Sequence, residues 1–340
     1  MVSIASALRS TCALLDSGAV RCWGENRFGE FGDGTMQGSN VPVPGANGMR
    51  FAALYRSDEA RMCGLDVDGR ALCWGYNVHG EVGNGTTDGA LTPSLVAGGH
   101  PFTEIATSTH TCAIDASHHA YCWGLALGGG LGSTSSDYDV LAPQAVEGTQ
   151  EYTAIATGTE FTCALRDGGE ADCWGWGGGL GSGARNRSVG TPTAVSGSRR
   201  YAHISAGAQW VCALTMGGTP YCWGDTGDEM SNDFRASPEP VPTDLTFREI
   251  TALNGYGACA LTAAGEAYCW WGKGKPLVVP GRRQWAGLGS GMPLGSSGFS
   301  PGYCGYTAGG SAFCWHWEAA YVNGVPVPYL TEPEPLPPLS

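Results

Sequence analysis

The sequence predicts an all-β fold, a seven-bladed β-propeller with four-stranded antiparallel blades, and three observations predict it. Fourteen cysteines fall into seven pairs of one spacing, and a Cys-Trp-Gly tripeptide recurs at the second cysteine of most pairs. Glycine and proline, 55 and 20 of 340 residues, are too abundant for a helical chain.

The pairs are Cys12 and Cys22, Cys63 and Cys73, Cys112 and Cys122, Cys163 and Cys173, Cys212 and Cys222, Cys259 and Cys269, and Cys304 and Cys314. Successive first cysteines stand 45 to 51 residues apart. A period of that size dictates architecture before any local propensity does, and it accommodates four short strands with their turns, one propeller blade. Residues 1–340 therefore read as one propeller domain. An even number of cysteines, one spacing and no odd thiol read as one disulfide within each blade, formed in an oxidising compartment. Reduced core cysteines are the alternative. Structural zinc fits less well, because its paired ligands are separated by two to four residues.

Each strand has its own signal. Phe102, Tyr152, Tyr201 and Phe247 stand three residues before Ile105, Ile155, Ile204 and Ile250 and open the first strand. The second strand carries the first cysteine, as in Cys163-Ala-Leu165. Six residues beyond that cysteine stands Gly18, Gly69, Gly169, Gly218, Gly265 or Gly310, with His118 as the exception. This position suits the left-handed residue of a three-residue hairpin loop, where histidine is tolerated better than most side chains. A loop centred on residue 17 places Cys12 directly across from Cys22, about 4.5 Å away, within reach of a disulfide. The third strand ends in Cys-Trp-Gly, which becomes Cys-Trp-Trp-Gly at residue 269 and Cys314-Trp315-His316 in the last repeat. Side chains alternate along a strand, so each of these tryptophans faces away from its bridge and is expected to pack between blades. A segment such as Pro143-Gln-Ala-Val146 supplies the fourth strand at an outer edge, where proline is tolerated.

The run Cys12-Ala-Leu-Leu-Asp-Ser-Gly-Ala-Val-Arg-Cys-Trp-Gly-Glu-Asn-Arg-Phe-Gly-Glu-Phe-Gly-Asp-Gly-Thr35 resembles the repeat of the regulator of chromosome condensation family, and Trp74-Gly-Tyr-Asn-Val-His-Gly-Glu-Val-Gly-Asn-Gly-Thr86 resembles it again. The Asn-x-x-Gly-x-x-Gly stretch then erodes to Leu131-Gly132 and Leu180-Gly181. The resemblance implies the propeller fold. It does not transfer the founding member's role as a nuclear exchange factor that binds nucleosomes, which seven expected disulfides and an acidic surface make implausible. It points instead to the secreted bacterial branch, similar in architecture to β-lactamase inhibitor protein II, in which the propeller is a protein-binding platform.

A formal charge of −13, with Lys273 and Lys275 as the only lysines, argues against nucleic acid or an anionic membrane as partner. No apolar run approaches the length of a membrane span and no secretory signal is visible. The chain is expected to be an exported, extracytoplasmic monomer whose export signal lies outside this sequence.

The histidines 79, 100, 110, 118, 119, 203 and 316 share no repeat position, and neither a phosphate loop nor a nucleophile elbow is present. No catalytic residue, metal ligand or cofactor is therefore assigned, and the chain is not expected to be an enzyme. Asp58, Glu59 and Glu160 fall in equivalent loops and suggest an acidic rim near the axis. Antiparallel strands alternate, so the loop between strands one and two and the loop after Cys-Trp-Gly open on one side of the ring. That side collects Arg9, Asp58, Glu59, Arg61, Tyr76, His110, Glu160, Phe161, Trp176, Gln209, Trp210, Tyr256, Trp271, Phe299, Tyr303 and Trp317, a mixture of aromatics and charges that resembles an interface. These loops differ from blade to blade. A single heterogeneous ligand, most simply a protein, is favoured over a glycan repeated in every blade or a substrate cleaved in the central channel.

Finally, Pro333-Glu-Pro-Leu-Pro-Pro-Leu339 mirrors Pro238-Glu-Pro-Val-Pro-Thr-Asp-Leu245, so the two ends of the chain are expected to meet and close the ring.

Overall fold

The structure, a computed structural model, describes residues 3–57, 59–134, 137–184, 188–225, 234–252, 257–291, 302–322 and 325–336, with the side chains of residues 290–291 and 317–329 left aside. Seven antiparallel sheets follow one another along the chain, each with its strands in sequence order from the axis outwards. Blade four shows the pattern, with Tyr152–Gly158 innermost, then Phe161–Arg166, Ala171–Gly175 and Val189–Ala194 outermost. The innermost strands touch their neighbours round the ring, and Ser3–Ala7 of blade one touches Gly287–Gly291 of blade seven. Among the described residues no strand is exchanged between blades. In blade seven the third strand, Ala312–Val322, first pairs with Val325–Leu330, and then Glu334–Pro335 pairs with Phe313 and Cys314. The C-terminal segment thus finishes blade seven rather than completing blade one. Leu336 then packs with Ile4, Ala312 and the Cys304–Cys314 bridge, so blade one closes on blade seven. Val2 and Leu339, the residues nearest the two ends, lie outside the described residues.

All seven bridges form within blades, at Cα separations of 4.0 to 4.1 Å, and no cysteine is free. That separation belongs to a facing pair without mutual backbone hydrogen bonds. The hairpin loops take the expected left-handed residue, with φ of 79° at Gly18 and 65° at His118.

The tryptophan after each second cysteine is buried against a neighbouring blade. Trp74, Trp123, Trp174 and Trp223 donate their indole N–H to Glu30, Glu81, Gly130 and Gly179 of the preceding blade, each at 2.9 Å. Gly32, Gly83, Gly132 and Gly181 lie beneath these four indoles, and a Cβ at any of them would come within 3.0 Å of the ring. Each also has a positive φ, between 61° and 77°. Here is the physical reason why Leu131-Gly132 and Leu180-Gly181 survive where the rest of the motif is lost: glycine admits the indole, and the leucine before it is buried.

A propeller's innermost strands are edges whose channel-side amides need partners. Neighbouring blades supply them. Ile155 N–H donates to Glu104 Oε1 at 3.3 Å, Leu288 N–H to Glu249 Oε1 at 2.9 Å, and Ala252 N–H to Ser205 Oγ at 2.9 Å.

Candidate binding face

The loops between third and fourth strands are held rigidly over the next blade. Gly34, Gly85 and Gly183 donate backbone N–H groups to Leu91, Leu141 and Ala236 on the outermost strand of the following blade, at 2.8 to 2.9 Å. Within the first two loops a buried asparagine acts as the central tie. Asn26 Oδ1 accepts from Phe31 N–H, and its amide nitrogen donates to the carbonyls of Thr35 and Gln37. Asn77 does the same through Val82, Thr86 and Asp88.

These anchored loops present aromatic side chains to solvent across blades one to four. Phe28 is 41% exposed, Tyr138 56% and Trp176 49%. Phe28 packs edge-on against Tyr76 with centroids 5.3 Å apart. His79 stands 5.6 Å from the Tyr138 ring, and its Nδ1 lies 2.8 Å from Asp139 Oδ1. Trp176 lies over Gly128 of blade three, where a Cβ would strike it. Beside Phe28, Glu25 bridges Arg9 and Arg27, each at 3.0 Å. The result is a rim of aromatics and charges on loops that lose little entropy on binding.

Of the residues expected on this face, Arg9, Glu59, Tyr76, Glu160 and Trp271 are half-buried, while Trp176 and Gln209 are exposed. Glu59 and Glu81 both raise the Tyr76 phenol, after burial itself. Glu160 takes a left-handed φ of 62°, and its N–H donates to Thr109 Oγ1 of blade three. Asp58, Tyr256 and Phe299 lie outside the described residues, as does the side chain of Trp317.

Arg61, His110, Phe161, Trp210 and Tyr303 are corrected by the structure, because all five are buried at 1% exposure or less. The first four occupy one repeat position, two residues before the first cysteine. There the backbone faces the glycine of Cys-Trp-Gly in the third strand: Arg61 opposite Gly75, His110 opposite Gly124, Phe161 opposite Gly175, Trp210 opposite Gly224. Those glycines have φ between 100° and 108° and no room for a Cβ, so the facing side chain fills the space between blades. Arg61 reaches blade three, donating to Thr107 Oγ1 at 2.9 Å and to the Ser108 carbonyl, and it pairs with buried Glu81 at 3.3 Å. Burial lowers its guanidinium pKa, with Glu81 opposing. His110 Nε2 lies 2.7 Å from Thr162 Oγ1 of blade four, and burial, then the Arg61 charge, lower its pKa to about 3. Tyr303 stacks on Trp315. What the sequence reading missed, Phe28, Val78 and Tyr138, stands exposed in the third-to-fourth loops, on the side of the ring that the sequence reading chose but at positions it did not single out.

Residues 2–30 and 68–114 match family models of the regulator of chromosome condensation (RCC1) repeat. This chain carries RCC1 repeats. Over 99 residues, 28% of its length, it is 28% identical to the E3 ubiquitin-protein ligase HERC2 of Homo sapiens and of Mus musculus, and it spans only 2% of those proteins. It superposes on Prp20p from Saccharomyces cerevisiae with a TM-score of 0.75 and 16% identity, covering 96% of this chain and 88% of that one. That structure was described together with Prp20p's binding to Gsp1p and histones. The CRINKLY ectodomain of the Arabidopsis thaliana receptor kinase ACR4 gives 0.60 and 20%, covering 93% and 95%. At these identities the likeness establishes the fold.

Through the middle of the RCC1-repeat ring runs a cavity of about 290 Å³ lined by the innermost strands. Arg56, among the described residues the one charged residue in its lining, donates from Nη2 to the Ala206 carbonyl at 2.8 Å, tying blade two to blade five across the axis. Below it, burial raises the Glu104 carboxyl to about 7 and also raises the Tyr55 phenol, to which Glu104 adds. The Tyr55 phenol is therefore neutral, whereas the Glu104 carboxyl changes charge near pH 7. Among the described residues no three His, Cys, Asp or Glu side chains gather as a metal site.

Proposed function

We propose that this RCC1-repeat propeller is an extracytoplasmic, monomeric, non-enzymatic module that binds another protein through the upper loops of blades one to four. The single observation that carries the reading is the exposed aromatic rim of Phe28, Tyr138 and Trp176 on hydrogen-bonded loops. Rigid amphipathic rings beside charges are the composition of interface hot spots, which are enriched in tryptophan, tyrosine and arginine. Seven disulfides support a location outside the reducing cytosol. A glycan reading is weaker, because the rim differs in every blade and repeats no pocket.

The test is site-specific photocrosslinking in the source's extracellular fraction, with the crosslinker at Trp176 in one protein and at Ser17, on the opposite face, in another. The reading requires one protein captured from position 176 and not from position 17, and loss of that capture in Tyr138→Ala. Capture from position 17 alone would place the site on the other side.

A further inference from the structure

Blade seven departs from its neighbours where the third strand should end. In blades one to five the glycine of Cys-Trp-Gly takes a φ of 100° to 108° and turns the chain towards the loop above. In blade seven His316 holds that place, and its φ is not positive. With no left-handed residue to turn it, the strand Ala312–Val322 runs on past the blade and returns as Val325–Leu330. The residues from Trp317 to Val322 carry it about 20 Å above the ring, at about 3.3 Å per residue, on the side where the rim of blades one to four lies.

The register fixes which backbone groups of this hairpin are used. Only residues 323 and 324 separate Val322 from Val325, so that pair exchanges both backbone hydrogen bonds. Alternation gives the same role to Ala320 with Val327 and to Glu318 with Tyr329, and Thr331 N–H, donating to the His316 carbonyl at 3.0 Å, keeps the phase. Pro326 and Pro328 fall between these pairs, so their nitrogens lie on the hairpin's outer edge, where proline removes donors that a further strand would need. The N–H and C=O groups of Trp317, Ala319 and Tyr321 face the other way, towards the axis, in line above Trp315, which pairs with Tyr303 of the second strand. Among the described residues no strand pairs with them. Nor can the second strand be extended upwards in register, because the residue that would come opposite Trp317 is Pro301, which has no N–H to give. One edge of the hairpin is closed by prolines and the other is left open.

We propose that this inward edge of blade seven takes an extended segment of a partner protein as an added β-strand, paired main chain to main chain with Trp317, Ala319 and Tyr321. Backbone hydrogen bonds supply the affinity, as in strand addition to any exposed sheet edge. Residues 317–330 contain Glu318 as their one charged residue, so the segment that fits is uncharged, rich in β-branched residues and free of proline where it pairs. A second copy of this chain is the competing occupant, and a net charge of −13 on each copy opposes it. The proposal stands on the blade-seven edge and does not need the aromatic rim.

Residue-resolved amide hydrogen exchange on the full chain tests it, with a heptapeptide of alternating Thr and Val as probe. In the free protein the amides of Glu318, Ala320 and Val322 should be protected, while those of Trp317, Ala319 and Tyr321 should exchange freely. Saturating probe should slow the second set by about tenfold or more and leave the first set as it was. The same peptide N-methylated at every residue should not bind, since it keeps its side chains and loses its main-chain donors. Ala319→Pro should abolish probe binding while the hairpin's own protection is retained, because the Ala319 N–H faces away from Val325–Leu330. Protection of Ala319 and Tyr321 in the free protein at every concentration would show that the chain covers its own edge, and protection that grows with protein concentration would show a second copy there; either result overturns the proposal. So would binding of the N-methylated peptide, or no added protection at a millimolar concentration of the probe.

Discussion

Gly257 stands opposite Trp271 in blade six, the reverse of blade five, where Trp210 stands opposite Gly224. One volume between blades is filled from the second strand in blades two to five and from the third strand in blade six. The inversion accompanies the extra residue of Cys269-Trp-Trp-Gly272, which moves the left-handed glycine one place along, to φ 51° at Gly272. Trp210 is thus core rather than contact surface. Trp210→Ala should cost about 3–5 kcal/mol of stability in urea denaturation, and any loss of binding should track the unfolded fraction.

Trp176 gives the opposite outcome. Half exposed and remote from the blade interiors, its replacement by alanine should change stability by no more than about 0.5 kcal/mol while costing about 2 kcal/mol in affinity for the rim's protein ligand. Calorimetry on the folded variant measures both.

The Arg61–Glu81 pair is fully enclosed between blades two and three. Removing one partner strands a charge, so Arg61→Ala and Glu81→Ala should each cost about 3–5 kcal/mol, and the double variant should cost less than their sum. A double-mutant cycle by chemical denaturation reads this directly.

Glu104 and His110 oppose each other in pH dependence. Folding raises Glu104 from 4.5 to about 7, so the native state holds its proton more tightly and stability from this group is lost as pH rises from 4.5 to 7. Folding lowers His110 from 6.5 to about 3, so its contribution is lost as pH falls below 6.5. Glu104→Gln should therefore melt higher relative to the parent at pH 8 than at pH 5, and His110→Asn should gain relative to the parent on acidification. Thermal melts across pH 4 to 8 decide it; a Glu104→Gln difference that does not vary with pH would refute the assignment.

Each bridge closes a loop of about eleven residues, for which chain entropy gives about 2.8 kcal/mol. Cys112→Ala/Cys122→Ala should lose up to that amount, and the intact protein should weigh about 14 Da less than its fully reduced form in non-reducing mass spectrometry.

The sequence by itself determined the ring. Cysteine spacing, the hairpin glycines and His118, and the repeated Cys-Trp fix the register of the second and third strands in every blade, because these are local constraints on a short hairpin. The inter-blade glycines at residues 32, 83, 132 and 181 were visible as surviving letters, though their cause, an indole from the next blade, was not. Only the tertiary structure decided which loop residues reach solvent. Arg61, His110, Phe161 and Trp210 stand in sequence beside loop residues, yet facing a glycine turns them inwards. Phe28 and Tyr138 look like ordinary loop residues, yet anchoring over the next blade holds them in solvent. Exposure depends on what the adjacent blade brings to each position, about fifty residues away along the repeat, and no local pattern carries that information.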